Sequence, residues 1–536
     1  MSSAAVAISS VARQTFNPWI VGLAVVVPTF MEVLDTTIAN VALKYIAGGL
    51  SAAETDAEWV LTSYLAANAT ILPISGWILA RLGRRNYFLL SIAIFTIASG
   101  LCGMATSLEE IILFRVLQGL AGGGLQPCSQ GVLLDAFPPE KQGAAQTMFG
   151  VAALLAPVVG PTLGGYLTVF YDWRWIFYIN VPVGAFALAM CYFVVSDPPY
   201  LIAERKELLR KPLNFDYIGL GLLTLAMASW EVFLSKGQEW DWLKDSFRRI
   251  PVLLGLFVLG LGFLVYRELR ISNPVVNFRP LGERNFAASC IIIFSGYAVL
   301  YGASTSLPAL LQSLFGYDAY VSGMVLSPAG LFSVWVLLSV GVLLSRGVDA
   351  RWLIAIGLLV MAAGCYWTSQ LNLYISPFQV VWPRVVLIVG LSMIFAPLNV
   401  AAFKYIPQHL RGAAVGLFAL LRNEGGSVGT SMAQTIMQRR LQFHLDRTNF
   451  QLDPLNPNVE DFLKQTTNAL QQYNGDPIAA REQALQTLEN LRQQQAASLA
   501  FFDVFFLCAA LGVALIFLVL IMKRSVAEKG AHVAAE

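Results

Sequence analysis

Charge is what this chain has least of. Only 13% of its 536 residues are Asp, Glu, Lys or Arg, against about a quarter in an ordinary soluble domain. With 57% hydrophobic residues and a mean hydropathy of +0.63, the composition excludes a soluble globule and points to a polytopic membrane protein. The net charge is +2 and no basic stripe appears, so no nucleic-acid partner is expected. Histidine is nearly missing: His409, His444 and His532 fall in separate segments and suggest no metal site. The cysteines (102, 128, 191, 290, 365 and 508) all sit in apolar runs without a CxxC, which argues against a disulfide framework and against zinc. No GxxxxGK[ST] loop occurs, so ATP-driven pumping is disfavoured. No catalytic constellation appears; neither an enzyme nor a cofactor is expected. The first 18 residues lack the charged start and apolar core of a cleavable signal, so the first spanning helix is expected to serve as its own insertion signal.

Long apolar runs are what the chain has instead. A helix needs about 20 apolar residues to cross the hydrocarbon core. About fourteen segments qualify: 19–43, 58–80, 87–106, 109–133, 144–169, 174–195, 215–235, 250–268, 286–312, 320–344, 352–371, 378–403, 412–437 and 499–522. They are too long for barrel strands, so the fold class is all-α. With the N-terminus inside, Arg13, Arg81, Arg84, Arg85, Lys141, Arg205, Lys206, Arg210, Lys211 and others through Lys529 lie on the inner side. The short outer loops then hold only Lys44, Arg174, Lys236, Lys244, Arg248 and Arg249. That bias predicts both termini in the cytoplasm.

Residues 438–498 are polar, Gln-rich and, on this topology, outside. Two helices are expected there, because Asn456-Pro457 and Asp476-Pro477 are each a cap residue followed by proline. Leu485, Leu488 and Leu491 share a face. The segment is either a solvated helical hairpin or a docking surface for another protein.

An internal repeat is the most informative feature. "RVLQGLAGGGLQPCSQGVLLDAFPPEKQGAA" from Arg115 parallels "RVVLIVGLSMIFAPLNVAAFKYIPQHLRGAA" from Arg384. Both carry a mid-helix proline (Pro127, Pro397) and end in Gly-Ala-Ala. "GWILARLGRR" from Gly76 more weakly parallels "GVLLSRGVDAR" from Gly341. The expected organisation is a six-helix half over 1–196, a linker and inserted helix pair over 197–284, and a second six-helix half over 285–536. Two like halves around a central site is the architecture of alternating-access transporters.

"GWILARLGRR", "RVLQGLAGGG" and "APVVGPTLGG" resemble the signature motifs of the major facilitator superfamily, the last of them a motif of its antiporters. "LDTTIANVAL" and "WRWIFYINVPVG" are similar to the fourteen-span drug:proton antiporters of the EmrB/QacA type. The resemblance implies proton-driven export of small lipophilic compounds. The long outer segment with "QQQAASLAFFDVFF" is similar to the Gram-negative EmrB branch, whose members sit in the inner membrane and work with a periplasmic membrane-fusion protein and an outer-membrane channel. Two positions depart from the pattern. Ala80 stands where the first cytoplasmic motif usually has an acidic or polar residue, and Lys44 where a proline usually follows "NVAL".

The charges inside the spans are the candidate functional residues. An ionised group at the bilayer centre costs about 2.5–3.5 kcal/mol on insertion scales. Glu32 and Asp35 are three apart and share one helix face, and two carboxyls in low dielectric cannot both ionise cheaply. One of them is therefore a candidate proton carrier. The family motif has an Asp at position 35, which makes Asp35 the first candidate; Glu32 shares the proton or meets a cationic substrate. Arg115, in the fourth span, is the natural counter-charge, with Arg384 as its repeat mate. The other reading is a fixed buried ion pair. Asn40 lies toward the outer end of the first span, and Gln126 is a further candidate for the substrate site. "RNEGGSVG" carries Arg422 and Glu424; Glu424 is either a second proton or substrate site or an acid paired with Arg422 or Arg411. Gly160, Pro161, Gly164 and Gly165 are expected to give a close, hinged contact between the halves. Gly76 and Gly83 allow a tight cytoplasmic turn that Arg81, Arg84 and Arg85 anchor at the surface. Glu231, in the inserted pair, is expected to face the surface. Beside the drug exporter stand two alternatives: an exporter of one metabolite, such as a siderophore or fatty acid, and a transport-dead sensor or scaffold.

Overall fold

The computed structural model describes residues 16–525 except 139–140, 211–215, 272–273, 408–409, 450–451 and 454–455. Arg13, Lys211, His409, Lys529 and His532 therefore lie outside the described residues. The described residues form helices and no strand. Each of the fourteen expected crossings corresponds to a helix or a helix pair, and span numbers are used below.

Spans 1, 2 and 3 are Pro18–Gly49, Trp59–Leu82 and Arg84–Met104. Span 4 is Leu108–Gly122 continued by Leu125–Ala136, and span 5 is Gln142–Phe170. Span 6 is a turn, Trp175–Tyr178, followed by Asn180–Val194. Spans 7 and 8 are Tyr217–Lys236 and Arg249–Glu268. Spans 9 to 12 are Arg284–Ser313, Ala319–Leu326 with Pro328–Ser345, Ala350–Ser369, and Pro377–Phe403. Span 13 is Arg411–Asn449 and span 14 is Pro477–Ile521. Among the described residues, 12 helices are long and apolar enough to cross a membrane. The other two crossings fail that criterion for visible reasons. Gly123 and Gly124 split span 4 into short pieces, and span 13 carries Arg422, Asn423 and Glu424 in mid-helix. Large exposed apolar side chains, among them Ile97, Phe186, Leu259, Phe263 and Trp335, stud the outside of the bundle, as a lipid-facing surface requires.

Residues 438–498 differ from the expected outer loop. Span 13 runs on to Asn449 and span 14 begins as early as Pro477, so both helices project beyond the bundle; among the described residues Pro457–Asn474 is the one separate helix there. Asn456 and Asp476 do cap their helices, each accepting a backbone N–H two residues on, at 3.1 and 2.9 Å. The continuity has a simple cause. Between residues 478 and 498 there is no Gly or Pro, and Ala, Gln, Leu, Glu and Arg all favour helix. Arg440 and His444 both reach Asp503, at 2.5 and 2.7 Å, and tie the two projections together at their base. The bundle thus has an extended end, with these projections, and a basic end, with the turn at Gly83.

The glycines of span 5 also differ from expectation. A side chain at Gly160 would overlap Thr37, and one at Gly164 would press on Ile38, so both pack on span 1 of the same repeat. Contact with span 10 is made by their neighbour Thr162, whose hydroxyl donates to the Gly323 carbonyl at 2.7 Å. Thr168 bonds the carbonyls of Gly164 and Gly165. Pro161 is buried, and the helix stays continuous through it.

At the basic end Gly83 has φ +85°, a backbone conformation L side chains rarely adopt. Arg84 is a correction: it is buried, not at the surface, and bonds Asp135 at 2.6 Å and the Gly131 carbonyl at 3.0 Å. The Arg85 backbone N–H donates to Asp197 at 2.8 Å, and the Arg81 carbonyl accepts from Arg205 at 2.9 Å. Asp135 and Asp197 thus supply negative charge to a turn where Ala80 does not.

Candidate functional site

Span 1 is helical straight through Pro28. Proline at that point leaves the Ala24 carbonyl without its usual partner, and the Cys191 thiol of span 6 donates to it at 3.2 Å. Ser129 of span 4 donates to the neighbouring Val25 carbonyl at 2.7 Å and accepts from Thr29 at 2.8 Å. This seam fixes span 1 between spans 4 and 6, and with it the direction of the acids one turn on.

Glu32 and Asp35 are both about 2% exposed, yet they face different surroundings. Asp35 sits in a closed knot. It accepts from Arg115 Nη1 at 2.5 Å, Gln118 Nε2 at 3.0 Å and Asn180 Nδ2 at 2.7 Å. Arg115 in turn donates from Nε to the Val60 carbonyl at 3.0 Å and from Nη1 to Gln118 Oε1 at 2.8 Å. Its guanidinium lies over the Tyr64 ring at 4.4 Å. The expected Asp35–Arg115 partnership is present. Gln118 and Asn180 are partners that sequence reasoning missed, although an amide in each of two apolar runs was the available signal.

Glu32 faces a cavity of about 150 Å³ lined by spans 1, 2, 4, 7, 9 and 13. Drug-sized pockets span roughly 300–1,000 Å³, so a large cargo requires this space to widen. Asn68 Nδ2 donates to Glu32 Oε1 at 3.2 Å, and Asn423 of span 13 donates to Asn68 at 3.2 Å. Gln126 reaches the same carboxyl, and Arg422 is the nearby cation that acts on it. Oε2 of Glu32 has no hydrogen-bond partner among the described residues. Asn40, Gln126, Glu231 and Arg422 also line the cavity, whereas Asp35 and Arg115 do not. Arg422 is 1% exposed and lies near the rings of Phe149 and Tyr297, at 5.3 and 5.7 Å.

Toward the basic end the cavity is shut. Gly76 of span 2 meets the Gly412 backbone, and Gly416 meets the Leu72 carbonyl. Toward the extended end its lining reaches Leu43, Glu58 and Gln434.

Two acids lie where the sequence did not suggest. Glu424 pairs with neither Arg422 nor Arg411; it lies beside Glu231 and Trp230 of span 7. Glu231 is buried, not surface-facing, and accepts from Ser427 Oγ at 3.0 Å. An unaligned sequence gives no sign of which face of span 7 meets span 13, so this neighbourhood was not readable.

An all-helical bundle closed at one end over a largely apolar cavity, with charged groups buried among its spans, has the architecture of a polytopic membrane protein. The sequence pattern of the Major Facilitator Superfamily matches residues 26–430. The chain belongs to that superfamily. It is 35% identical to the Multidrug export protein EmrB of Haemophilus influenzae, over 83% of this chain and 85% of that protein. It is 34% identical to the Fatty acid resistance protein FarB of Neisseria gonorrhoeae, over 82% of this chain and 84% of that one. Among solved structures, the proton:xylose symporter XylE bound to 6-bromo-6-deoxy-D-glucose aligns with a TM-score of 0.56 at 13% identity, covering 92% of this chain and 94% of that one. That last likeness concerns the fold alone.

Proposed function

We propose that this chain exports small lipophilic, drug-like molecules across the bacterial inner membrane in exchange for protons, by alternating access, with its basic end in the cytoplasm. The observation that carries the reading is the Glu32 carboxyl: buried, in the wall of a cavity that spans 1 and 13 share, with Oε2 unpartnered among the described residues and Arg422 as the acting cation. Similarity to EmrB supports the drug-export part.

The cycle follows from charge. Ionised Glu32 attracts Arg422 across the cavity and draws span 1 toward span 13. A proton on Glu32 removes that attraction. In the present conformation the cavity is closed by Gly76 and Gly412 at the basic end, so the carboxyl exchanges its proton toward the extended end. Reorientation then presents it to the cytoplasm, where loss of the proton and capture of cargo reset the site. Asp35 is assigned a different part. With three donors, one of them cationic, it is a pinned carboxylate that holds spans 1, 4 and 6 together while Glu32 works. No cofactor is needed beyond the proton gradient.

The projections over 438–498 are assigned to a periplasmic membrane-fusion protein, and through it to an outer-membrane channel. Leu485 and Leu491 stay exposed on span 14 and offer that partner an apolar strip. Similarity to FarB favours a second reading, in which the cargo is a fatty acid or another single amphiphile. Transport of a set of drugs and fatty acids by the full chain in proteoliposomes under an imposed pH gradient separates the two. Uptake of several unrelated drugs supports the first reading and uptake of fatty acids alone the second; no gradient-driven transport of any of them removes both. Deleting residues 450–490 is expected to spare vesicle transport and abolish resistance in cells. Full cellular resistance in that deletion contradicts the partner assignment.

A further inference from the structure

Span 7 belongs to the pair expected as an insertion, yet it lies in the seam between spans 2 and 13. Ser235 pairs with Thr62 of span 2 at 2.6 Å. Ser431 of span 13 donates to the Leu234 carbonyl at 2.7 Å, and Ser427 donates to Glu231 at 3.0 Å. Span 7 therefore forms one flank of the cavity, and Glu231 is part of its lining. Span 13 is held rigidly on its other side. Gly425 and Gly429 bring its backbone against Phe294 and Ala298 of span 9, too close for any side chain. Span 7 is the looser partner in this seam.

Two acids meet here. Glu231 is 3% exposed and Glu424 6%; Glu424 lies one turn before Ser427, which donates to Glu231 at 3.0 Å, and that register sets the two carboxyl groups side by side. Two carboxylates present only acceptors to one another, so that contact needs a proton. The Trp230 indole of span 7 lies beside Glu424, but among the described residues neither oxygen of Glu424 accepts a hydrogen bond.

The surrounding charges do not neutralise the pair. On span 13, Arg422 acts on Glu32 and lies by Phe149 and Tyr297. On span 7, Lys236 bonds Glu239 at 2.6 Å and Glu58, just before span 2, at 3.3 Å, at the extended end. Span 8 meets this part of span 7 with Phe257, stacked on Trp230 at 4.4 Å; its charged residues Arg249, Arg267 and Glu268 are at its two ends. Span 9 contributes the Tyr301 ring against Gly426, and span 2 contributes Tyr64 to the cavity wall.

We propose that Glu231 and Glu424 hold one proton between them and form a second proton site, a clasp that keeps span 7 on span 13 while occupied and releases that flank of the cavity when the proton leaves. A carboxyl donating to a carboxylate makes a short, strong bond in a low-dielectric site. Its loss puts two like charges in contact, which such a site does not tolerate. The proton leaves by way of Glu231, whose carboxyl is in the cavity wall, and returns the same way. The widening this allows is what a drug-sized cargo needs. The role in the cycle rests on the proton-exchange reading; the existence of the clasp does not.

The test is a distance measurement against pH. The full chain, with its native cysteines replaced, carries Leu225→Cys and Met432→Cys, exposed positions on spans 7 and 13, spin-labelled in lipid nanodiscs. With both acids present, a single short distance at acid pH is expected to give way to a longer population as pH rises. Glu231→Gln, Glu424→Gln and the double variant are expected to keep the short distance throughout; if the double variant does not fold, either single one carries the same expectation. Glu32→Gln is expected to retain the native response. An unchanged pH response in the Gln variants, or none in the native pair, overturns the clasp. Loss of the response in Glu32→Gln alone overturns it too, but leaves proton exchange at Glu32 standing. A native response in a chain that shows no gradient-driven transport keeps the clasp and removes the exchange.

Discussion

Arg115 bonds Asp35 at 2.5 Å, and Arg384, its repeat mate, bonds Ser304 at 2.8 Å; the members of each pair are 80 residues apart. The two arginines thus reach the corresponding spans 1 and 9, but among the described residues only the first bonds an acid. Nε and Nη1 of Arg384 are buried without a partner among the described residues. Removing one member of a buried ion pair typically costs about 3–5 kcal/mol, whereas replacing an uncompensated buried charge by an apolar side chain is often neutral or stabilising. Arg115→Met is therefore expected to lower unfolding stability by about 3–5 kcal/mol, and Arg384→Met to change it by under about 1 kcal/mol or to raise it. Thermal unfolding followed by helical circular dichroism checks both; equal losses contradict the asymmetry.

Asp35→Asn alone does not test transport cleanly, because it strands the Arg115 charge in a buried site. It is expected to destabilise the chain, and adding Arg115→Gln is expected to recover part of that loss, with a coupling of about 1–3 kcal/mol. Additive losses in the double-mutant cycle mean that the Asp35–Arg115 contact contributes little.

Gly83 joins spans 2 and 3 at φ +85°, and a side chain there would run into Asp197. Gly83→Ala is expected to cost about 1–3 kcal/mol, read as a lower melting temperature. A variant as stable as the native chain shows that the turn relaxes without strain.

Asp245 lies in the connection before span 8, outside the membrane. It accepts from the backbone N–H of Arg249 at 2.6 Å and of Phe247 at 3.2 Å, and pairs with the Arg249 guanidinium at 3.1 Å. Those bonds, the guanidinium's first, hold its carboxyl down at about 2. A lowered acid stabilises the fold fully above its unfolded value near 4, and that contribution fades as pH falls toward 2. The melting-temperature difference between native chain and Asp245→Asn is expected to be constant above about pH 4 and to shrink below it. A difference independent of pH contradicts the assignment.

Legibility in the sequence followed the cost of burial. Asp35 and Arg115 stood out because ionised groups are rare in apolar runs, and a lone arginine in a neighbouring span is the natural counter-charge for a buried acid. The caps at Asn456 and Asp476 were visible because Asn-Pro and Asp-Pro carry local backbone chemistry. Which of Glu32 and Asp35 meets the cavity was not legible. It depends on where Gln118 and Asn180 point, and those residues come from spans 4 and 6. Glu231 was misplaced for a related reason: a helix in lipid hides its rotation, since apolar residues suit both the lipid and the interior face. The uninterrupted projections of spans 13 and 14 were missed because hydropathy ends at the membrane surface while helix propensity does not.

The central claim is that Glu32 carries the proton that drives export. The direct measurement compares the native chain with Glu32→Gln in everted membrane vesicles, following drug accumulation as a pH gradient is imposed and then collapsed. The carboxyl accepts from the Asn68 amide and lies by the Gln126 amide, groups that a glutamine side chain also meets, so the variant is expected to fold normally. Its gradient-dependent accumulation is expected to fall to the level of vesicles without the protein. Accumulation in Glu32→Gln that matches the native chain and vanishes on collapsing the gradient contradicts the claim.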